Sequence, residues 1–91
     1  MIGENERTSL RYAFSDCVIL LRREKGISQE WLALETGTAS AYMSGLERGL
    51  HTPTLETIYK LLPTLEVSFT EFAAEFERCL AKVERRRNKK R

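Results

Sequence analysis

A chain of 91 residues, 42% hydrophobic and 31% charged, has the size and composition of one small folded domain. It holds no apolar stretch near the roughly 18 residues of a membrane-spanning helix, and its polar start, MIGENERT, does not resemble a signal peptide. Two cysteines without a secretory signal favour free thiols. We therefore expect a cytoplasmic protein with no membrane contact.

The net charge of +2 is divided unevenly along the chain. Residues 78–91 carry eight Lys or Arg and one Glu, which gives +7, whereas residues 1–77 carry seven basic and twelve acidic side chains, which gives −5. The acidic body argues against a protein that coats nucleic acid indiscriminately, although a local basic face is compatible with it. The basic tail, residues 85–91, either reaches phosphates or stays solvated, and the sequence supports both.

Helical spacing of the apolar residues predicts an all-α chain without strands. A flexible N-terminus, residues 1–8, precedes a first helix that is predicted to begin at Thr8 or Ser9 and to end at Lys25, before Gly26. Its buried stripe recurs at intervals of three and four residues. The residues of that stripe are Phe14, Cys17, Val18 and Leu21.

Residues 29–49, QEWLALETGTASAYMSGLERG, predict two short helices joined by a glycine turn. Ala33 stands where two helix backbones would cross closely, and Gly37 stands where the chain must turn with a positive φ. The inward-facing positions are Leu32, Met43 and Leu46. A helix, a short glycine turn and a crossed second helix form the helix-turn-helix that reads DNA.

Two further helices are predicted after a loop that ends at Pro53. Thr54 caps a fourth helix, and Pro63 should end or kink it near Leu62. Its predicted inner face is Leu55, Ile58, Leu61 and Leu62. Ser68 and Glu71 then match a capping box, S-x-x-E, which opens a long fifth helix.

The fifth helix carries an apolar stripe with spacings of 3, 4, 3 and 4 residues, formed by Phe69, Phe72, Phe76, Cys79 and Val83. The stripe either packs on the first helix of the same chain or meets a second copy across a two-fold axis. Three phenylalanines in one stripe favour the dimer. The predicted dimer interface consists of Leu65, Phe69, Phe72, Phe76, Cys79, Leu80 and Val83. Residues 9–84 would then combine the helix-turn-helix domain with a C-terminal dimerisation helix.

From about Phe14 to Phe72 the chain resembles the XRE family of transcription regulators, the Cro and phage-repressor type of helix-turn-helix. The resemblance rests on LLRREKGISQEWLA, GTAS, AYMSGLERG, LHTPTLETI and LEVSFTEF. It implies an all-α, five-helix phage-repressor-like DNA-binding domain, here with an extended C-terminal helix. Restriction–modification controller proteins, phage-type repressors and antitoxins all fit this description.

The function that the resemblance implies is sequence-specific binding of double-stranded DNA by a transcription regulator. Such a protein would act as a homodimer on an operator whose two half-sites lie about one helical turn apart. The alternative is a protein-interaction or antitoxin module that uses the same fold, and a toxin or polymerase partner stays open. Binding to random and enriched DNA would separate the two. No enzyme constellation, metal cluster, cofactor motif or small-molecule site is evident.

The resemblance also implies which residues contact DNA. Gln29 would touch the DNA backbone or a base edge, the recognition helix would run from about Ser40 to Arg48, and the loop after it would hold phosphates. The full implied set is Ser28, Gln29, Thr38, Ser40, Ala41, Tyr42, Ser44, Gly45, Arg48, His51 and Thr52. Long polar side chains are scarce in it, so we expect operator shape to add to specificity. Arg22 and Glu47 match a structural ion pair of the family.

Overall fold

In the computed structural model, which describes residues 2–89, five helices follow one another and no strand occurs within that range. They are α1 (Glu4–Glu24), α2 (Gln29–Glu35), α3 (Ser40–Glu47), α4 (Leu55–Leu65) and α5 (Phe69–Lys89). The all-α, five-helix prediction is confirmed. None of these helices has the length and apolar character needed to cross a bilayer, as far as the described residues go.

The first helix begins earlier than the sequence predicted, at Glu4, so most of the N-terminus that we expected to be flexible is helical. Glu4 and Glu6 lie in its first turn, where negative charge interacts favourably with the helix dipole. A tertiary contact adds to this, because Arg87 of α5 donates hydrogen bonds to the backbone oxygen of Asn5 and to Ser9 Oγ, both at 2.9 Å. Met1 lies outside the described residues.

The last helix runs through most of the segment that the sequence set apart as a basic tail. Arg86 donates to Asp16 at 3.3 Å, and Arg87 bonds to α1. Among the described side chains of this segment, Arg86 and Arg87 therefore contact α1 of their own chain. Lys90 and Arg91 lie outside the described residues.

The fourth helix continues past Pro63 to Leu65, which corrects the prediction that it could end near Leu62. Proline has no N–H, so residue 63 cannot donate the helical hydrogen bond to the carbonyl of Tyr59. Burial of Leu65 favours the extra turn. The helix ends at Glu66, a non-glycine residue with a left-handed φ of 58°.

The core lies mainly between α1 and α5. The α3 helix also packs on α1, α2 packs on α3 and α4, and α4 packs on α5. The predicted stripe of α1 is confirmed, since Phe14, Cys17, Val18 and Leu21 are all buried. On α4, Leu61 and Leu62 are buried and Ile58 is partly buried. Leu55 is 60% exposed, so its place on the inner face was wrong: the first turn of α4 extends beyond the core.

Four residues of the predicted dimer interface are buried inside the single chain, and this corrects their assignment. Leu65, Phe72, Cys79 and Val83 belong to the core cluster, and the Phe72 ring lies 5.8 Å from the ring of Phe14 on α1. The stripe of α5 therefore packs largely on the first helix of its own chain. Phe69, Phe76 and Leu80 remain partly exposed.

Candidate nucleic-acid interface

The turn between α2 and α3 is fixed by backbone hydrogen bonds that require glycine. Gly37 has φ +67°, a conformation that only glycine adopts without steric cost. Its N–H donates to the carbonyl of Leu34 at 3.2 Å, and that of Thr38 donates to the carbonyl of Ala33 at 2.9 Å. These two bonds form a Schellman motif, which ends α2 and directs the chain into α3.

The start of α2 is capped by a side chain. Ser28 Oγ accepts a hydrogen bond from the backbone N–H of Trp31 at 3.0 Å. Buried Leu32 and nearly inaccessible Ala33 then face the rest of the domain. The α2 helix packs on α3, and a small buried side chain such as that of Ala33 suits a close approach of two helices.

One face of α3 holds the helix in the domain and the other is free. Met43, Leu46 and Glu47 are buried, whereas Ser40 and Ala41 are exposed. The N-cap residue, Ala39, makes no side-chain hydrogen bond to the first turn. The backbone N–H groups of this turn can therefore donate to an anion or to a polar group outside the chain.

The predicted ion pair between Arg22 and Glu47 is present. Arg22 Nε donates to Glu47 Oε2 and its Nη2 donates to Oε1, both at 2.8 Å, and the Glu47 side chain is only 4% exposed. Arg22 Nη1 also donates to the backbone oxygen of Ile27 at 3.0 Å. The hydrogen bonds that Arg22 donates to Glu47 raise the pKa of Arg22 above its ordinary value. The pair ties α1 to the end of α3.

Gln29 joins the same network instead of standing free. Its Nε2 donates to Glu47 Oε1 at 3.0 Å. A bidentate contact to adenine needs both the oxygen and an N–H of the amide in one orientation, and here the amide is held by α3. In this structure Gln29 therefore helps to hold α3 in place, and its amide is not a free polar group on the surface.

The remaining members of the predicted DNA-contacting set fall into two groups. Ser28, Ser40, Ala41, Arg48, His51 and Thr52 are exposed. Thr38, Tyr42 and Ser44 are partly buried, and Gly45 is buried. The Thr38 hydroxyl accepts a hydrogen bond from Thr36 at 2.9 Å, so it serves the turn between the helices.

A stacked pair of rings joins α3 to the following loop, and sequence reasoning did not predict it. The Tyr42 and His51 rings lie 5.0 Å apart between centroids, with an angle of 16° between their planes. The imidazole also covers Gly45, where a Cβ would stand 2.6 Å from His51 Cδ2. The one signal in the sequence is Gly45 itself. Glycine destabilises a helix interior, so its presence there indicates that another group packs closely against the backbone.

A second exposed surface lies on α4 and α5, which follow α3 in the chain. We call it the α4–α5 face and define it by Leu55, Ile58, Tyr59, Phe69 and Phe76. Tyr59 is 53% exposed, and its ring stacks on that of Phe69 at 5.3 Å with an angle of 5° between the planes. Phe69 and Phe76 border an open apolar groove of about 240 Å³ that reaches Phe14 on α1. An apolar surface of this kind is typical of a contact site.

The chain matches a protein-family model described as helix-turn-helix over residues 18–72. It is 47% identical over 51 residues to the uncharacterised HTH-type transcriptional regulator y4dJ of Sinorhizobium fredii. It is also 47% identical over 58 residues to the HTH-type transcriptional regulator SlrR of Bacillus subtilis. These alignments cover 56% and 62% of this chain, and 66% and 38% of the two relatives, so the chain spans less than two thirds of either relative's length.

Solved structures resemble it over most of its length. A crystal structure of the restriction–modification controller protein C.Esp1396I, a tetramer in complex with its natural 35 base-pair operator, matches with a TM-score of 0.73 and 29% identity. That match covers 79% of this chain and 95% of the other. The clp gene regulator ClgR from Corynebacterium glutamicum matches with a TM-score of 0.79 over 87% of this chain and 84% of its own, at 24% identity, which shows a shared fold.

Proposed function

Since this chain belongs to the XRE-type helix-turn-helix family of DNA-binding transcription regulators, we propose that it binds a specific double-stranded operator as a homodimer. Each copy places the exposed face of α3 against one half-site. The family consists of DNA-binding regulators and not of enzymes, and the described residues hold no cluster of three or more potential metal ligands.

The observation that carries the proposal is the division of α3 into two faces. Its inner face is fixed by buried Met43 and Leu46 and by the Arg22–Glu47 pair. Its outer face presents the exposed residues Ser40 and Ala41. A helix that is held rigidly and exposed along one side can enter a major groove without rearrangement.

Selection of bound sequences from a random DNA pool tests the proposal. Wild type should enrich one sequence, and Ala41→Asp should weaken binding to it by at least about tenfold, because it places a negative charge against DNA. Ala81→Asp is the matched control, since Ala81 is an exposed alanine on the outer side of α5. Enrichment of no sequence by wild type, or equal losses in both variants, would contradict the proposal.

For the homodimer we propose the α4–α5 face as the contact between copies. Leu55 and Tyr59 expose more than half of their surface, and the groove beside them is apolar. The controller protein C.Esp1396I, which resembles this chain, was crystallised as a tetramer on its operator. Two copies would cover both apolar faces, and a 91-residue domain with a small core gains stability from such burial.

Sedimentation of Leu55→Asp tests this contact. Wild type should sediment at twice the 10.5 kDa chain mass and the variant at the mass of one chain. The variant should remain helical, because an acidic residue in the first turn of α4 suits the helix dipole. Leu34→Asp is the control, since Leu34 is an exposed leucine on α2, and it should stay dimeric. A dimeric Leu55→Asp would place the interface elsewhere.

A further inference from the structure

Gly45 lies in the middle of α3, where its backbone does not require glycine. Only Gly26, Gly37 and Gly49 have a positive φ among the glycines of residues 2–89. A glycine inside a helix is less favourable than alanine. The space that it leaves is filled by the ring of His51, whose Cδ2 would stand 2.6 Å from an added Cβ. Gly45 therefore makes room for a side chain from the following loop.

Tyr42 holds the same ring from a second side. It precedes Gly45 by three residues and so lies on the same side of α3. Its ring stacks on that of His51 with 5.0 Å between centroids. The imidazole is thus confined between a glycine and an aromatic ring, although His51 itself remains exposed. A side chain fixed in this way loses little conformational entropy when it binds a partner.

We propose that Gly45 and Tyr42 are positioning residues, which place the His51 imidazole on the DNA-facing surface of α3 as a base-reading group. In this role an imidazole N–H donates to the N7 acceptor of a purine in the major groove. The loop then supplies the polar group that the side chains of α3 lack at this point. The inference rests on the proposed DNA-binding function.

The positioning is tested first without DNA, by the NMR resonances of the His51 ring protons. The Tyr42 ring should shift these resonances in wild type. Gly45→Ala should displace the imidazole and Tyr42→Leu should remove the stack, so both should move the resonances, whereas Tyr42→Phe should keep them. Melting temperatures should show that each variant is folded. Unmoved resonances in Gly45→Ala would overturn the positioning.

The reading role is tested by a double-mutant cycle on the selected operator and on a set of operators with single base-pair changes. His51→Ala should lose about tenfold of the preference at one base pair in each half-site. Gly45→Ala should lose the preference at the same base pair. The double variant should be no worse than His51→Ala alone, because the displaced group is already absent.

Two results would overturn the reading role. Additive losses would mean that Gly45 acts without His51. A uniform loss over all operators, with a shallower salt dependence, would make His51 a phosphate contact. If wild type enriches no DNA sequence, the proposed function fails and the reading role with it, while the NMR comparison still decides whether Gly45 and Tyr42 position the ring.

Discussion

Among single residues, Glu47 joins three helices. It accepts hydrogen bonds from Arg22 of α1 and Gln29 of α2, and its own backbone oxygen accepts one from Ser15 of α1. All of these meet at the last residue of α3. The orientation of the DNA-facing helix is therefore set by a buried polar network as well as by apolar packing.

We predict that Arg22→Ala lowers the free energy of unfolding by about 3–5 kcal/mol, because it leaves the Glu47 carboxylate buried with one weak partner. Urea denaturation followed by circular dichroism measures this. Arg23→Ala is the matched control, since Arg23 is exposed, and it should change stability by less than about 0.5 kcal/mol. Equal stability of the two variants would show that the pair contributes nothing to the fold.

The sequence predicted part of this network and missed the rest. The resemblance to the family implied the Arg22–Glu47 pair, which the structure contains. The bond from Gln29 to Glu47 joins residues 18 positions apart, and no local pattern distinguishes it from a free glutamine. For the same reason the stack of Tyr42 on His51, across the end of a helix, had no signature in residue spacing.

At the scale of helices, four of the five end in the same hydrogen-bonding pattern. Each of these helices is followed by a residue in the left-handed conformation, and this residue is glycine after α1, α2 and α3. After α4 it is Glu66, whose N–H donates to the carbonyl of Pro63 and whose neighbour Val67 donates to that of Leu62, both at 3.2 Å. A residue with a Cβ is strained in this conformation.

We predict that Glu66→Gly stabilises the domain by about 0.5–1 kcal/mol, because glycine removes this strain. The salt bridge that Glu66 makes with Lys25 at 3.3 Å is exposed and its loss should matter little. Glu66→Ala separates the two effects, since it loses the salt bridge and keeps the strain. A gain in the denaturation midpoint for alanine equal to that for glycine would rule out backbone strain as the cause.

The sequence predicted the helix ends that depend on residues close together in the chain. The Ser68–Glu71 capping box is confirmed, with Ser68 N–H donating to Glu71 Oε1 at 2.7 Å and Glu71 N–H donating to Ser68 Oγ at 3.0 Å. These groups are within four residues of one another. The start of α1 and the turn of α4 beyond Pro63 depend on contacts with distant elements, which no short segment encodes.

At the scale of the whole molecule, the packing of α1 against α5 determines the chemistry of the two cysteines. Cys17 and Cys79 are both free and buried in this contact. Burial is the main cause that raises the pKa of each thiol, and the nearby Glu75 carboxylate adds to it. Both sulfurs therefore stay protonated and unreactive in the folded chain.

We predict that neither thiol reacts with Ellman's reagent at pH 8 until the protein unfolds, and that both react in denaturant. Because the pKa of each thiol is raised in the folded chain, the thiols lose their protons at a lower pH when the chain is unfolded. The associated stabilisation is thus complete below the pKa of an unfolded thiol, about 8.5, and declines as the pH rises above it. Rapid labelling of either cysteine in the native state would contradict this account of the contact.

The hydrogen bonds from Arg87 to Asn5 and Ser9 also bear on how the domain folds. They join residues 82 and 78 positions apart, in an all-helical chain of a kind usually dominated by local contacts. The entropy of closing almost the whole chain into one loop is lost when α5 docks on α1. The helix-turn-helix is built from segments that are close together in the chain, whereas the apolar residues of α1 that face α5 are buried only with the last of the five helices in place. During synthesis on the ribosome, those apolar residues of α1 therefore lack their packing partner until α5 has been made.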